Sequence, residues 1–159
     1  MKYLLSTLSL TVALTAGCTT MAPPENPQGV HGMIAIKSAH NVKTTIDKYE
    51  AGVKALGANV VARVDHAAGA QRVGQVLRPT ELLIWGSPQS GTAMMLCAQT
   101  VGIDLPQKAL AWQDVKGDVY LAWNDPVHLV MARHETPGCE GVTRQVAATL
   151  RTLATQATQ

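Results

Sequence analysis

Asp104 and Lys108 are an acid and an amine that lie just ahead of an apolar strand, within GIDLPQKALAWQD (residues 102–114). Such a pair can hold a charged ligand or transfer a proton. A catalytic lysine needs burial to lower its pKa, however, and a lysine at the start of a strand is usually solvated. Pro106 follows a helix end, so this segment is interpreted first as a turn with a structural charge and second as a ligand-facing site.

The histidines give a weaker signal, because none of them has the spacing of a zinc-binding motif. His66 is the candidate ligand contact, since it follows Asp65 at the end of a strand, beside small residues where a cleft can open. The alternative is a histidine that only caps the turn. No cofactor is indicated, and a metal site would have to form from residues distant in sequence: His31, His40, His66, His128 and His134.

Cys97 and Cys139 form an even pair once Cys18 is set apart for lipidation. In an oxidising compartment two such cysteines form a disulfide or remain as two buried thiols, and both interpretations stay open. Neither belongs to a Cys-x-x-Cys motif, so a thioredoxin-like active site is not indicated.

The segment GSPQSGT (residues 86–92) follows an apolar strand and opens a helix, as a phosphate-binding loop does. Thr92 occupies the place of the lysine that reaches the terminal phosphates, so nucleotide hydrolysis is not expected. The remaining alternatives are an anion held by free backbone N–H groups and a plain helix start capped by Ser87 or Ser90.

The first residues predict an exported, lipid-anchored protein. Residues 1–17 combine Lys2 with a short apolar run and small residues, which is typical of a signal peptide. LTAGC, ending at Cys18, resembles the lipobox of bacterial lipoproteins, which implies acylation of that cysteine, palmitate included. Thr19, rather than aspartate, implies sorting to the outer membrane, facing the periplasm. Residues 18–29 are proline-rich and predict an extended tether.

Residues 30–159 are predicted to form one domain. The composition is that of a globular protein, with 47% hydrophobic and 15% charged residues. Thirteen basic residues nearly balance 11 acidic ones, and no basic run is present, which argues against nucleic-acid binding.

Hydrophobic periodicity predicts the elements that must position these side chains. Val60, Ala62 and Val64 are expected on one face of a strand, and Met94, Met95 and Leu96 are expected to be buried in a helix. A small-residue turn is expected after His66. The predicted strands are 30–39, 59–66, 80–86 and a hairpin within 108–123 turning at Lys116-Gly117; the predicted helices are 42–57, 89–101, a turn within 126–134, and 141 onward. This order indicates an α+β two-layer sandwich with a mostly antiparallel sheet.

Three blocks resemble the family known as domain of unknown function 302: RVDHAAGA from Arg63, LRPTELLIWGSPQSGTAMM from Leu77, and GIDLPQKALAWQD from Gly102. The resemblance implies a strand-helix-four-strand-helix fold, similar to the TATA-binding-protein-like class and often found as a homodimer. It implies no reaction.

Taken together, the sequence predicts a non-catalytic envelope lipoprotein that binds a small ligand or a protein partner. The alternative is a periplasmic enzyme, or a redox or metal-handling protein, that uses His66 with Asp104 and Lys108, or the Cys97/Cys139 pair.

Overall fold

The computed structural model describes residues 30–159, so the predicted signal peptide, Cys18 and the tether lie outside the described residues. The five strands are Met33–Ser38 (β1), Asn59–Asp65 (β2), Thr80–Gly86 (β3), Gln107–Gln113 (β4) and Val119–Asn124 (β5). The four α-helices are Val42–Ala55 (α1), His66–Arg72 (α2), Pro88–Cys97 (α3) and Glu140–Thr158 (α4), with a 3₁₀ helix at Gln99–Ile103 and a π-helix at His128–Arg133. Within residues 30–159, no helix has the length and apolarity needed to cross a membrane.

The strands form one antiparallel sheet in the order β1-β5-β4-β3-β2. Helices α1 and α4 pack together on one face of this sheet, and the core lies between the two layers. Ile46, Tyr49 and Leu83 are fully buried there, and Leu150 of α4 is almost so. The α+β two-layer sandwich predicted from the sequence is confirmed.

The two long helices follow the predicted apolar spacing. Asn41 caps α1 by accepting a hydrogen bond from the Thr44 N–H at 2.8 Å. Gly57 follows the helix with a φ of 70°, a left-handed conformation that favours glycine. In α4, Leu150 and Leu153 face the core as their spacing indicates.

The predicted faces of β2 are wrong at one end because of a β-bulge. The register with β3 shifts between Val60 and Ala62, so Val61 is an extra residue and 61% of its surface is exposed. As a result Val60 packs against the helix-side core, whereas Ala62 and Val64 point to the other face of the sheet. The alternation of side chains along a strand does not predict where such an extra residue is inserted.

Two helical segments also differ from the prediction. Residues 66–72, expected as a turn, form α2, because the Asp65 carboxylate accepts from the Ala68 N–H at 2.8 Å and caps it. The helix expected at 89–101 ends at Cys97 and continues as a 3₁₀ helix. Met94 is buried as expected, but Leu96 is 83% exposed, so its predicted burial is wrong.

The β4–β5 hairpin is confirmed, with Gly117 at a φ of 87° in its turn. Before β4, the bond between Leu105 and Pro106 is cis. The segment Asp104-Leu105-Pro106 is therefore the turn that the sequence indicated.

The sheet face opposite α1 and α4 carries an apolar row that crosses all five strands. The paired residues in this row are Ala35, Ala122, Leu110, Leu82 and Val64. Next to it, Trp112 and Tyr120 stack with ring centroids 5.5 Å apart. We call this surface the outer sheet face.

Candidate ligand-binding cleft

Two cavities adjoin where β3 ends, α3 begins and β4 starts. The first, which we call the Met cavity, has a volume of about 470 Å³ and is walled by Met94, Met95 and Leu105. The second, the Trp cavity, has a volume of about 380 Å³ and lies between Trp85 and α4. Ser87, Ser90 and Gln107 line both cavities, so we treat them as one site and call it the Gln107 cleft.

Gln107 is the most unusual residue of this cleft. It is the first residue of β4, and its alternation with Ala109 and Ala111 places it on the helix-facing side of the sheet. Only 8% of its surface is exposed, and its side-chain amide has no hydrogen-bond partner among the described residues, but the amide atoms are not sealed from solvent and so face the cleft. An amide in this position is open to a hydrogen bond from water or from a ligand in the cleft.

Trp85 pairs with Gln107 across β3 and β4 and lines the Trp cavity. Its indole Nε1 and the Tyr49 hydroxyl are both buried without a hydrogen-bond partner in residues 30–159. The two rings pack edge to face with centroids 6.1 Å apart, and burial raises the pKa of Tyr49. Because the indole Nε1 is sealed from solvent, Trp85 gives the Trp cavity an uncharged, largely apolar wall.

The start of α3 forms the third side of the cleft. Ser87 stands at the N-cap position, but its hydroxyl makes no capping hydrogen bond, and Pro88 follows it. The Ser90 hydroxyl donates to the Ser87 carbonyl at 3.3 Å. Pro88 has no N–H and the Gly91 N–H donates to the Ser87 carbonyl at 2.9 Å, so the N–H groups of Gln89 and Ser90 are those that remain available beside Gln107.

Asp104 is brought together with a histidine, but not with His66. The Asp104 carboxylate contacts His134 Nε2 at 2.7 Å and Arg133 at 3.2 Å. His134 Nδ1 lies 2.9 Å from the Thr100 hydroxyl, which completes a hydroxyl-imidazole-carboxylate chain. The sequence held no signal for this cluster, because it joins a 3₁₀ helix to the end of a π-helix 30 residues away.

Lys108 lies near this cluster without touching the Asp104 carboxylate. Its amine donates to the Asp104 backbone carbonyl at 3.1 Å and to the Pro106 carbonyl at 3.0 Å, so it closes the turn. His66 opens α2 beside the end of β3 where Asp65 pairs with Glu81, whereas Gln107 pairs with Trp85 at the opposite end. The structure therefore does not unite His66 with Asp104 and Lys108.

Cys97 and Cys139 are joined in a disulfide, with an S–S distance of 2.15 Å. The bridge ties the end of α3 to the residue before α4. Closing a loop of this length stabilises the fold by on the order of 4 kcal/mol in the chain-entropy model. Among residues 30–159, no three His, Cys, Asp or Glu side chains are grouped so as to hold a metal ion.

A different, fully paired cluster lies toward the other end of β3. Arg63 of β2 donates to both oxygens of the Glu81 carboxylate, to Asp47 at 2.6 Å and to Glu50 at 3.2 Å. Hydrogen bonds from Lys43 and then from Arg63 hold the pKa of Asp47 below its usual value, and Lys54, followed by Arg63, does the same for Glu50. We call this the Arg63 cluster.

Comparison with known proteins identifies the family. The profile of the family "Domain of unknown function DUF302" matches residues 34–157. This chain belongs to the DUF302 family. The match covers β1 to α4, and therefore both the Gln107 cleft and the Arg63 cluster.

The fold agrees with a solved DUF302 structure. A crystal structure of a conserved DUF302 protein from Bacillus stearothermophilus superposes with a TM-score of 0.72 at 18% identity, over 80% of this chain and 99% of that one. At this identity the likeness establishes the fold alone.

The curated relatives that this chain matches are longer. The proteins named fluoride-specific ion channel FluC 1 from Brucella suis biovar 1 (strain 1330) and from Brucella abortus biovar 1 (strain 9-941) are 48% identical over 103 residues. That region is 65% of this chain but only 40% and 38% of those proteins, so the chain spans about two fifths of their length.

Proposed function

We propose that this DUF302 chain is a non-catalytic binding module of the bacterial cell envelope, anchored by a lipid on Cys18 to the outer membrane and facing the periplasm. The observation that carries the binding role is the Gln107 cleft, which the amide of a largely buried glutamine faces without a partner within residues 30–159. Its cavities fall in the range of about 300–1,000 Å³ that is usual for small-molecule sites. The anchor rests on the lipobox resemblance and the proline-rich tether.

The test of this proposal is native mass spectrometry of the full chain, extracted from membranes in mild detergent and purified without metal-affinity resin. We expect the mass of a diacylglyceryl group on Cys18 and a retained small molecule or protein partner. A turnover activity that a His66→Ala variant loses while it remains folded would contradict the binding role. An unmodified Cys18 in the mature chain would contradict the anchor.

The outer sheet face supports a second copy of the chain as one partner. In its apolar row, Ala35 and Ala122 are already buried, while Leu82, Leu110 and Val64 are half-buried, and covering these three with the same residues of a second copy forms a two-fold interface. A Leu110→Lys variant should sediment as a monomer where the parent sediments as a dimer. The matched control is Val76→Lys, at a loop valine that is 98% exposed, and it should leave the oligomer unchanged.

The Brucella relatives favour a membrane ion channel as a protein partner. In those proteins, a region similar to this chain belongs to a polypeptide named as a fluoride-specific ion channel. We expect the chain to bind such a channel or to change its flux. Fluoride efflux from vesicles holding the channel, with and without the chain, measures this; equal flux together with no co-purification would contradict it.

An enzyme or redox protein is the second candidate function, and the Thr100, His134 and Asp104 contacts favour the enzyme form. They match the order of nucleophile, base and orienting acid. Loss of an ester-hydrolysing activity in both Thr100→Val and His134→Gln variants would establish it. For the redox form, free-thiol counting is decisive, because a Cys97–Cys139 bridge that resists mild reductant is structural.

A further inference from the structure

We propose that the Gln107 cleft takes a neutral molecule that carries an amide-type group, a carbonyl beside an N–H, on a compact apolar body. This inference rests on the proposed binding function and names its ligand class. It depends on three features of the cleft: its lack of charge, the unpaired amide of Gln107, and the uncapped start of α3.

The lining of the cleft contains no ionisable side chain of Asp, Glu, Lys, Arg or His. Its polar members are Asn59, Ser87, Gln89, Ser90, Thr92, Gln107, Gln145 and Thr149. An ion entering the cleft would lose water without meeting an opposite charge, which is unfavourable. A neutral ligand incurs a far smaller desolvation penalty, so the lining selects against ions.

The Gln107 amide sets the hydrogen-bonding pattern of the ligand. A carboxamide offers one carbonyl acceptor and two N–H donors, and none of these is used by the described residues. Only 8% of the surface of Gln107 is exposed, and the residue lines both cavities. A group that donates to the Gln107 carbonyl and accepts from its N–H satisfies both atoms, and an amide does so in one plane.

The start of α3 supplies further donors to the same place. Ser87 makes no side-chain cap, and the backbone N–H groups of Gln89 and Ser90 have no partner within the helix. A neutral carbonyl oxygen accepts from these groups without bringing a charge. Because Ser87 and Ser90 line the same cavities as Gln107, one ligand carbonyl can lie within reach of both donor sets.

The remaining walls fit an apolar body. Met94, Met95 and Leu105 border the Met cavity, and Trp85 and Val146 border the Trp cavity. Methionine side chains adapt to irregular shapes, so the walls favour a compact aliphatic or flat group without fixing its outline.

The experiment compares two probes that share one body. N-acetyl-leucinamide is neutral, and N-acetyl-leucine carries a carboxylate in place of the terminal amide at pH 7. Each is titrated into the detergent-solubilised full chain while the three tryptophan indole N–H signals are followed by NMR. The Trp85 signal should shift with the amide probe, and the Trp112 signal, from the outer sheet face, should stay constant as an internal reference.

The variant Gln107→Leu should weaken binding of the amide probe about tenfold, the factor that the loss of one hydrogen bond produces. Gln113→Leu makes the same change at the far end of β4, outside the cleft, and should bind like the parent. Ser87→Ala tests the site without altering the sheet and should weaken binding less than Gln107→Leu does.

Tighter binding of the carboxylate probe would overturn the inference in favour of an anion at the start of α3. Equal binding by Gln107→Leu and the parent would overturn it as well. If neither probe binds, the ligand class is wrong, and native mass spectrometry then decides the wider proposal. A retained mass of another class leaves the binding function standing, whereas an empty, partnerless chain contradicts both.

Discussion

The Gln107 cleft and the Arg63 cluster are built at opposite ends of the same strand, β3, and they treat polar atoms in opposite ways. In the Arg63 cluster, one partly buried guanidinium meets three carboxylates, so each of these charges has a partner. In the cleft, the amide of Gln107 has none within residues 30–159. Paired polar groups stabilise a fold, whereas unpaired ones reduce its stability unless a ligand completes them. The contrast separates a structural end of the sheet from the end that we propose binds a ligand.

The largest loss of stability is expected when Arg63 is replaced. Arg63→Met should lower the free energy of unfolding by about 2 kcal/mol at pH 7, because Glu81 and its neighbours lose charged hydrogen bonds. Urea unfolding measures this. The control is Lys54→Met, which removes an exposed partner of Glu50 and should cost under about 1 kcal/mol. An Arg63→Met variant as stable as the parent would remove the structural role of the cluster.

The same cluster predicts how stability depends on pH. The pKa values of Asp47 and Glu50 are lowered in the folded state, so their contribution is present above the unfolded values of about 4 and is lost as pH falls through the folded values. The gap between the parent and Arg63→Met should therefore narrow below about pH 4. A gap that stays constant from pH 7 to pH 3 would show that the carboxylates are not responsible.

Substitutions at the N-cap positions of two helices are expected to change stability by smaller, unequal amounts. Asn41→Ala removes a hydrogen bond to the Thr44 N–H and should cost about 1 kcal/mol. Ser87→Ala, at the same position of α3, should change stability by less than about 0.5 kcal/mol, because no side-chain cap exists there. Equal losses in thermal or urea unfolding would mean that Ser87 caps α3 in solution and is not free for a ligand.

The smallest expected effect is a gain in stability. Without ligand, Gln107→Leu should raise the free energy of unfolding by up to about 1 kcal/mol, because it places an apolar group at a largely buried position where the amide has no protein partner. Gln113→Leu loses the hydrogen bond to the Gly117 carbonyl and should lower it by a similar amount. A Gln107→Leu variant less stable than Gln113→Leu would show that the amide is paired in solution.

Local signals in the sequence account for much of the fold. The spacing of apolar residues in α1 and α4, the cap at Asn41 and the glycine at position 117 all operate over a few residues. The predictions from them are confirmed, except that Leu56, expected on the apolar face of the first helix, is 56% exposed. The bulge at Val61 changes which side chains face the core without changing their types, so no pattern announced it. Residues 66–72 are small and polar and lack an apolar stripe, and only the cap from Asp65 shows that they are helical.

The candidate site was harder to predict because it depends on tertiary contacts. Charge drew attention to Asp104 and Lys108, yet Asp104 pairs with His134 and Lys108 closes a turn. Gln107 carries no charge and belongs to no motif. Its one signal is a glutamine at an inward position of a strand that continues with Ala109 and Ala111. This glutamine can be assigned to the cleft only when the pairing of β4 with β3 is known.

The order of the strands also dictates when the domain can be completed during synthesis. Among the strands of residues 30–159, β1 pairs only with β5, so Ile36 must wait for Leu121, which is synthesised after the other four strands. Until then β1 is an apolar segment with unpaired backbone groups, tethered through a long loop whose closure is entropically unfavourable. The segments between β2 and β4, by contrast, pair with their immediate neighbours in the chain. The N-terminal strand, which leads to the membrane anchor proposed here, is thus the last to join the sheet.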